Sequence, residues 1–394
     1  MHVLDSGSIA LSPSDLTGFA ACEHLTQLEL AALRGDVERP KRDDPMLDVL
    51  SRRGGEHETK QLARFRAEGR IVVEVEYPDN TAAALADAEA RTLDAMRAGA
   101  DVIYQATFFH DGWRGHADFL LRVDTPSPHL GAWSYEVADA KLARRVKAAA
   151  LLQMCAYSEQ VERLQGVAPQ QMHVITGDGE QHPFKLTDYS AYYRALKARF
   201  GELVERARTD PGITTYPDPV DHCGICRWAD VCKSRRRADD HLSLVSGMRR
   251  DQTRKLTAVG IATRRDLAVA DPELTVAGIG EATDERLRHP AELQVKGEGH
   301  EPPIFELLPP EPPAADGPDH AWPQRGWALL PSPSPGDLYF DMEGDPFTID
   351  DDVSGPGLEY LFGVAWHEPD GAQRYRAFWA HTRAEEKEAF EAFV

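Results

Sequence analysis

Apolar positions first fall into register just after Ser12-Pro13-Ser14-Asp15, a helix start with a hydroxyl N-cap, proline at the first helical position and an acid in the first turn. The predicted helix carries Cys22 and continues through Leu25, Leu28 and Leu30. Helical patterns also span 46–67, which contains His57, and 82–97. The run 102–109 is β-branched and aromatic, Asp111-Gly112 is a hairpin signal, and 113–123 reads as the return strand. A third strand over 133–140, a helix over 144–165, a strand over 172–176 and a helix over 190–208 complete a mixed α/β unit.

Beyond it, residues 221–237 are cysteine-rich and then basic, and short helical pieces follow to about residue 298. Gly260 and Gly278 sit in tight turns between these pieces, an arrangement that resembles helix-hairpin-helix units and is equally common in structural bundles. Residues 300–336 hold 11 of the 27 prolines and read as a semi-rigid linker. Strands are then expected over 337–342, 360–366 and 374–379, with a helix from about residue 383, so that a further domain begins and does not finish. The expected organisation is 1–237, a helical connector 238–299, the linker 300–336 and the partial domain 337–394.

A length of 394 residues suits two or three domains, and 42% hydrophobic with 28% charged residues excludes fibrous and wholly disordered classes. No apolar run is long enough for a membrane span, and the first residues lack a secretory signal, so a cytoplasmic protein without membrane association is expected. Its five cysteines then read as ligands or core residues rather than disulfides. The net charge of -21 argues against a uniformly basic surface for nucleic acid. Residues 233–265 reverse that sign, with ten basic residues against three acids. Such a track fits phosphate contact, or a solvated helical surface whose charges pair with acidic neighbours.

Period-two alternation puts Tyr135, Val137, Asp139 and Lys141 on one side of their strand and Glu136 on the other. An acid two positions before a lysine at a strand end can hold a divalent cation while the ammonium faces a phosphate, although alone the pattern is more often a solvated strand end. In the preceding strand Gly115-His116-Ala117-Asp118 embeds one acid in an apolar run, where a carboxylate needs a cation for a partner. A loop of about ten residues between the two strands suits an antiparallel pair in which Asp118 and Asp139 meet. Gln153 and Tyr157, at i and i+4, share a helix face, and Gly54-Gly55-Glu56-His57 lies on the helix before the sheet. Cys223, Cys226 and Cys232 form a C-x2-C-x5-C cluster for which Cys22 is the natural fourth thiolate; zinc and an iron–sulfur cluster both accept such ligands. Cys155 reads as a small core residue.

The order Gly-x-x-His, Gly-x-Ala-Asp, Asp-x-Lys, Gln-x-x-x-Tyr resembles the RecB-type branch of the PD-(D/E)xK nucleases, including the CRISPR-associated RecB-like exonucleases, over roughly residues 10–237. The resemblance implies a restriction-endonuclease-like mixed sheet flanked by helices. It also implies that Asp118 and Asp139 bind catalytic Mg or Mn with His57 as a further ligand, that Lys141 sits beside the nucleophile, and that Gln153 and Tyr157 support the lysine and the bound strand. Asp139 stands where many relatives carry Glu. In those nucleases one cysteine before the core and three after it hold a [4Fe-4S] cluster, and Cys22, Cys223, Cys226 and Cys232 match them one by one.

Near the C-terminus, Leu338 to Pro346 is a hydrophobic strand ending in Asp-x-Glu, with Asp341 and Glu343 on one face. It resembles the first motif of RNase H-like DEDD exonucleases, whose four acids hold two metal ions, and the other two acids are expected beyond residue 394. The whole order is similar to bacterial predicted RecB-like nucleases, some of which continue into a helicase, and the chain has no phosphate-loop motif of its own. The resulting expectation is a metal-dependent DNA nuclease, acting as an exonuclease on single-stranded ends in repair or processing. Two rivals stand beside it: a catalytically silent iron–sulfur DNA clamp serving a helicase, and a zinc-stabilised scaffold.

Overall fold

The structure, a computed structural model, describes residues 1–41, 44–307, 330–346, 348 and 357–394, which divide into two units, Met1–Ile304 and Phe305–Val394. The first unit opens with a small hairpin, β1 (His2–Val3) and β2 (Ile9–Ala10), and then α1 (Pro13–Ala21). The Ser12 hydroxyl accepts from the Asp15 amide while the Asp15 carboxylate accepts from the Ser12 amide, so both ends of the cap are satisfied. The predicted continuous helix stops at Cys22, whose extended backbone (φ -161°, ψ 110°) ends α1 and opens α2 (Glu23–Arg34). The break is tertiary in origin. Gln27 of α2 bonds Thr214 and Thr215, and Glu29 accepts from the Trp228 indole, which fixes the direction of α2.

After α3 (Pro45–Ala67), capped by the Asp44 carboxylate, the chain builds β3 (Val72–Glu74), α4 (Ala82–Ala98), β4 (Val102–His110), β5 (Trp113–Val123), β6 (Ser134–Ala140), α5 (Ala148–Gln165), β7 (Gln171–Ile175), β8 (Gln181–Lys185) and α6 (Thr187–Thr209). The six strands β3 to β8 lie in sequence order in one mixed sheet. Its β4-β5-β6 centre is antiparallel, β3 joins β4 and β7 joins β6 in parallel, and β8 closes the edge as a hairpin with β7. The short β3 and β8 escape sequence patterning because one is only three residues long and the other carries Pro183.

Two apolar layers sandwich the sheet. The larger joins Leu16 and Phe19 of α1, Met96 of α4, Met154 and Val161 of α5 and Phe200 of α6 to Ile103, Ala106, Ala117, Leu120 and Val137. The smaller joins Leu62 and Phe65 of α3 to Val102, Phe119, Leu121 and Ala138. Ile103 and Ala106 enter the same layer although they are three residues apart, as do Leu120 and Ala117. Strict alternation would separate each pair. The slip falls at Gln105, whose φ is +56°, and at Asp118, which faces it between the Tyr104–Phe119 and Ala106–Ala117 pairs. A left-handed residue inside a strand is costly for a side chain with a Cβ, and such kinks concentrate at functional sites.

Past α6, α7 (Ala229–Ala238) follows the cysteine segment, and α8 (Arg250–Ala258), α9 (Arg264–Ala268) and α10 (Glu281–Lys296) gather around Leu242, Leu256, Ile261, Leu267 and Leu287 as a core of their own. Gly260 (φ +89°) and Gly278 (φ +77°) make the two turns. The second unit has β9 (Leu338–Asp345), β10 (Leu358–His367) and β11 (Gln373–Trp379) in an antiparallel sheet of order β11-β10-β9, followed by α11 (Arg383–Phe393). These match the three strands and helix expected there, while most of the proline-rich 300–336 segment lies outside the described residues. Among the described residues no helix is long and apolar enough to cross a membrane.

One glycine is fixed by a close approach beside the strand ends. A Cβ on Gly177 would lie 2.2 Å from the Leu142 carbonyl oxygen, a backbone atom with no rotamer to yield. Gly177→Ala is therefore expected to destabilise the fold by about 1–3 kcal/mol or more, seen as a lower urea midpoint. An unchanged midpoint would contradict this approach.

Candidate functional site

The ladder between β5 and β6 runs from Val123–Ser134 to Phe119–Ala138, and the same register sets Asp118 opposite Asp139 one step further. At that step the backbone ladder ends and a side chain takes over: the Ala140 amide donates to Asp118 Oδ2 at 2.8 Å. Asp139 is 2% exposed and Asp118 is partly exposed. Loss of water together with the facing Asp139 carboxylate holds the Asp118 carboxyl well above the ordinary carboxylate range. Two acids brought together in this way cannot both carry charge cheaply without a cation between them.

One cation is already there. Lys141 Nζ lies 2.6 Å from Asp139 Oδ2. Burial pulls the Lys141 pKa down, but Asp139, Asp118 and Glu58 outweigh it and leave the value raised. Lys141 is consequently an ammonium, able to donate and to neutralise charge and unable to act as a base at neutral pH. Its backbone amide donates to the Ile175 carbonyl at 2.8 Å, tying the strand end to β7.

His57 is buried on α3, and its Nε2 faces the same Ile175 oxygen at 3.4 Å. Its Nδ1 is enclosed and has no hydrogen-bond partner. With the proton on Nε2, the bare Nδ1 is an acceptor, which is the tautomer that a metal-binding histidine oriented by a backbone carbonyl adopts. The next residue, Glu58, is a member that sequence reasoning missed. It accepts from the Gln105 amide and from the Tyr104 hydroxyl, and burial followed by the Glu58 contact pushes Tyr104 up to about 12. The field of Glu58 also reaches Asp118 and Lys141. No motif spacing marks Glu58, because what brings it in is the left-handed Gln105.

Tyr157, on α5, is buried against Gly115: a Cβ at that glycine would come within 2.8 Å of the tyrosine ring. This explains why a glycine begins Gly-x-Ala-Asp, and it couples that motif to Gln-x-x-x-Tyr by packing. Burial, then Asp139 and Asp118, raise the Tyr157 phenol well above its usual range, so it stays a neutral hydroxyl beside both acids. Gln153 shares the helix face but bonds Ser14 of α1 at 3.2 Å, not Lys141. Glu136 points to the opposite side of the strand, accepting from the Gln171 amide at 2.9 Å and pairing with His173 Nε2 at 2.8 Å. Asp139 is therefore the acid that shares a face with Lys141.

Cys22, Cys223, Cys226 and Cys232 line one small cavity with Leu28, Trp228 and Arg236. All are free thiols, and the Val220 amide donates to the Cys223 sulfur at 3.4 Å. Burial lifts Cys232 to about 11, with Cys226, Cys22 and Cys223 adding to the rise; Cys226 is raised in the same way. Cys155, by contrast, is 1% exposed inside the main core. Among the described residues no three His, Cys, Asp or Glu side chains are placed to hold a single metal ion. In the second unit Asp341 and Glu343 stand two apart on β9, opposite Gly363 and Leu361.

Most of the basic track is paired with acids from within it and from neighbouring segments. Arg235 bonds Asp239, Arg249 and Lys255 bond Asp251, Arg250 meets Asp218, and Arg264 and Arg265 both reach Asp240 and Glu298. Arg236 is buried and donates to the Pro217 carbonyl. Of the two sequence readings, the paired helical surface describes these side chains. Comparison with protein-family models and with curated protein sequences gives no match.

The facing acids carry a stability consequence. A carboxyl whose folded pKa is raised binds its proton more tightly when folded, so stability is present at low pH and is lost as pH rises through that raised value. In metal-free buffer at pH 7, Asp118→Asn keeps an acceptor for the Ala140 amide and removes the repulsion. Its melting temperature is expected to rise, by roughly 2–4 °C for each kcal/mol relieved, with the gain shrinking toward pH 4. A variant less stable than wild type at pH 7 would contradict this electrostatic picture.

Proposed function

We propose that this chain is a divalent-metal-dependent nuclease of the RecB-like PD-(D/E)xK type, with a restriction-endonuclease-like first unit. The observation that carries the reading is the register that sets Asp118 against Asp139 with Lys141 on the shared face. Magnesium commonly takes only one or two protein carboxylates and completes its shell with water and substrate phosphate, so this pair suits it without a full protein cage. The resemblance assigns a further position to His57, whose Nδ1 has no hydrogen-bond partner but which this structure does not group with the two acids around one ion. Held there, Mg or Mn supplies Lewis acidity toward the scissile phosphate and its bound water. Lys141, kept protonated by its neighbours, offers positive charge where negative charge accumulates on the phosphate. Tyr157 contributes a neutral hydroxyl and a rigid wall. Single-stranded DNA ends are the proposed substrate, in repair or processing, with a helicase as partner.

The four cysteines suit a [4Fe-4S] cluster. A single zinc ion would draw four sulfurs to about 2.3 Å from one centre, whereas a cluster attaches each thiolate to a different iron and tolerates a wider cradle. For the second unit, the Asp341–Glu343 strand and the three-stranded antiparallel sheet support an RNase H-like domain in which these acids serve a separate metal site.

The test is anaerobic purification with iron, sulfide and zinc analysis, then digestion of end-labelled single-stranded DNA with Mg or Mn. About four iron atoms per chain are expected, lost in Cys22→Ser, together with cleavage that falls by at least a hundredfold in Asp139→Ala. One zinc per chain would overturn the cluster. Bound DNA left uncut by wild type and variant alike would overturn catalysis and leave the clamp.

A further inference from the structure

Two residues before Asp118 on β5, or about 7 Å along the strand, His116 carries an aromatic partner that the proposed chemistry does not use. Tyr77, in the loop between β3 and α4, stacks on the His116 ring with centroids 4.3 Å apart and planes 30° from parallel. Tyr77 is nevertheless 61% exposed, so its outer face is open to solvent. The stack is held from beneath. Thr107 Oγ1 donates to the Gln105 carbonyl and therefore accepts from His116 Nδ1 at 3.0 Å, leaving Nε2 enclosed without a partner.

The loop is pinned on both sides of the tyrosine. The Val75 amide bonds the Tyr104 carbonyl, Arg114 bonds the Asn80 side chain, and Pro78 restricts Tyr77 to extended backbone. A flat ring open on one side and fixed by a second ring two strand residues from Asp118 matches the stacking platforms that hold single-stranded nucleic acid, where each base offers a π-face whatever its identity.

We propose that the outer face of Tyr77, backed by His116, is the stacking subsite for one nucleobase of the single strand whose phosphate lies against Asp118, Asp139 and Lys141. The subsite rests on the nuclease reading for its neighbour but is read by binding alone. The experiment measures anisotropy of a labelled single-stranded DNA 12-mer with the full chain in EDTA, where no cleavage occurs, for wild type, Tyr77→Ala and Tyr77→Phe. Base–aromatic stacking predicts that Tyr77→Ala weakens binding by about 5- to 150-fold and that Tyr77→Phe stays within about twofold of wild type, both keeping the wild-type circular dichroism spectrum. Stepping an abasic site through the oligonucleotide should reveal one position that costs wild type a similar factor and costs Tyr77→Ala nothing more. Equal affinity of wild type and Tyr77→Ala, the same abasic profile in both, or a wild type that does not bind the strand overturns the subsite. Loss of affinity in Tyr77→Ala with no Mg- or Mn-dependent cleavage by wild type would sink the nuclease reading and keep the subsite.

Discussion

The hydrogen bond from the Ala140 amide to the Asp118 carboxylate is the contact around which the first unit is arranged. It stands where a backbone carbonyl would ordinarily continue the ladder, and it fixes one acid against another at the point where β5 and β6 stop pairing. Everything nearby answers to that crowding. Lys141 is drawn onto Asp139, the tyrosine phenols are kept neutral, and a third acid, Glu58, is satisfied by Tyr104 and Gln105 without being neutralised. A group of acids this dense in one cation is a poor choice for stability alone and a good one for a divalent ion.

How much of this could be read from the sequence depends on which forces set each part. The face shared by Asp139 and Lys141, with Glu136 turned away, follows from strand periodicity, which backbone geometry enforces wherever a strand is regular. The hairpin at Asp111-Gly112 and the Ser12 cap were legible for the same reason, since local chemistry decides them. Glu58 was not legible, because it enters through Gln105 at φ +56° and the matching slip at Asp118, and no residue preference announces a left-handed glutamine. The helix break at Cys22 was hidden too: the residues on either side favour helix, and the competing contacts come from Thr214, Thr215 and Trp228, nearly two hundred positions away. The basic track left two readings open in part because two of its acidic partners, Asp218 and Glu298, lie outside the window in which charge was counted.

That break gives the cysteine cavity its architecture. By ending one helix and starting another at Cys22, the chain lets α2 lie along the 214–228 segment, and the thiol at the hinge joins three from the segment after α6. The two ends of the sheet domain are thus sewn together by hydrogen bonds first, with the thiol cavity closing the seam. The glycines do comparable work at the acids: Gly115 gives Tyr157 its place, and Gly177 lets the loop after β7 pass under Leu142, next to Lys141.

The central claim is that Asp118 and Asp139 are opposed in order to share a divalent cation. Titration calorimetry of Mn into the chelator-treated chain, alongside Asp118→Asn and Asp139→Asn, tests it without reference to any substrate. One site in the wild type that is weakened at least tenfold in each variant is the predicted result. Wild-type and variant chains taking up Mn with the same affinity, or the wild type taking up none, would contradict the account.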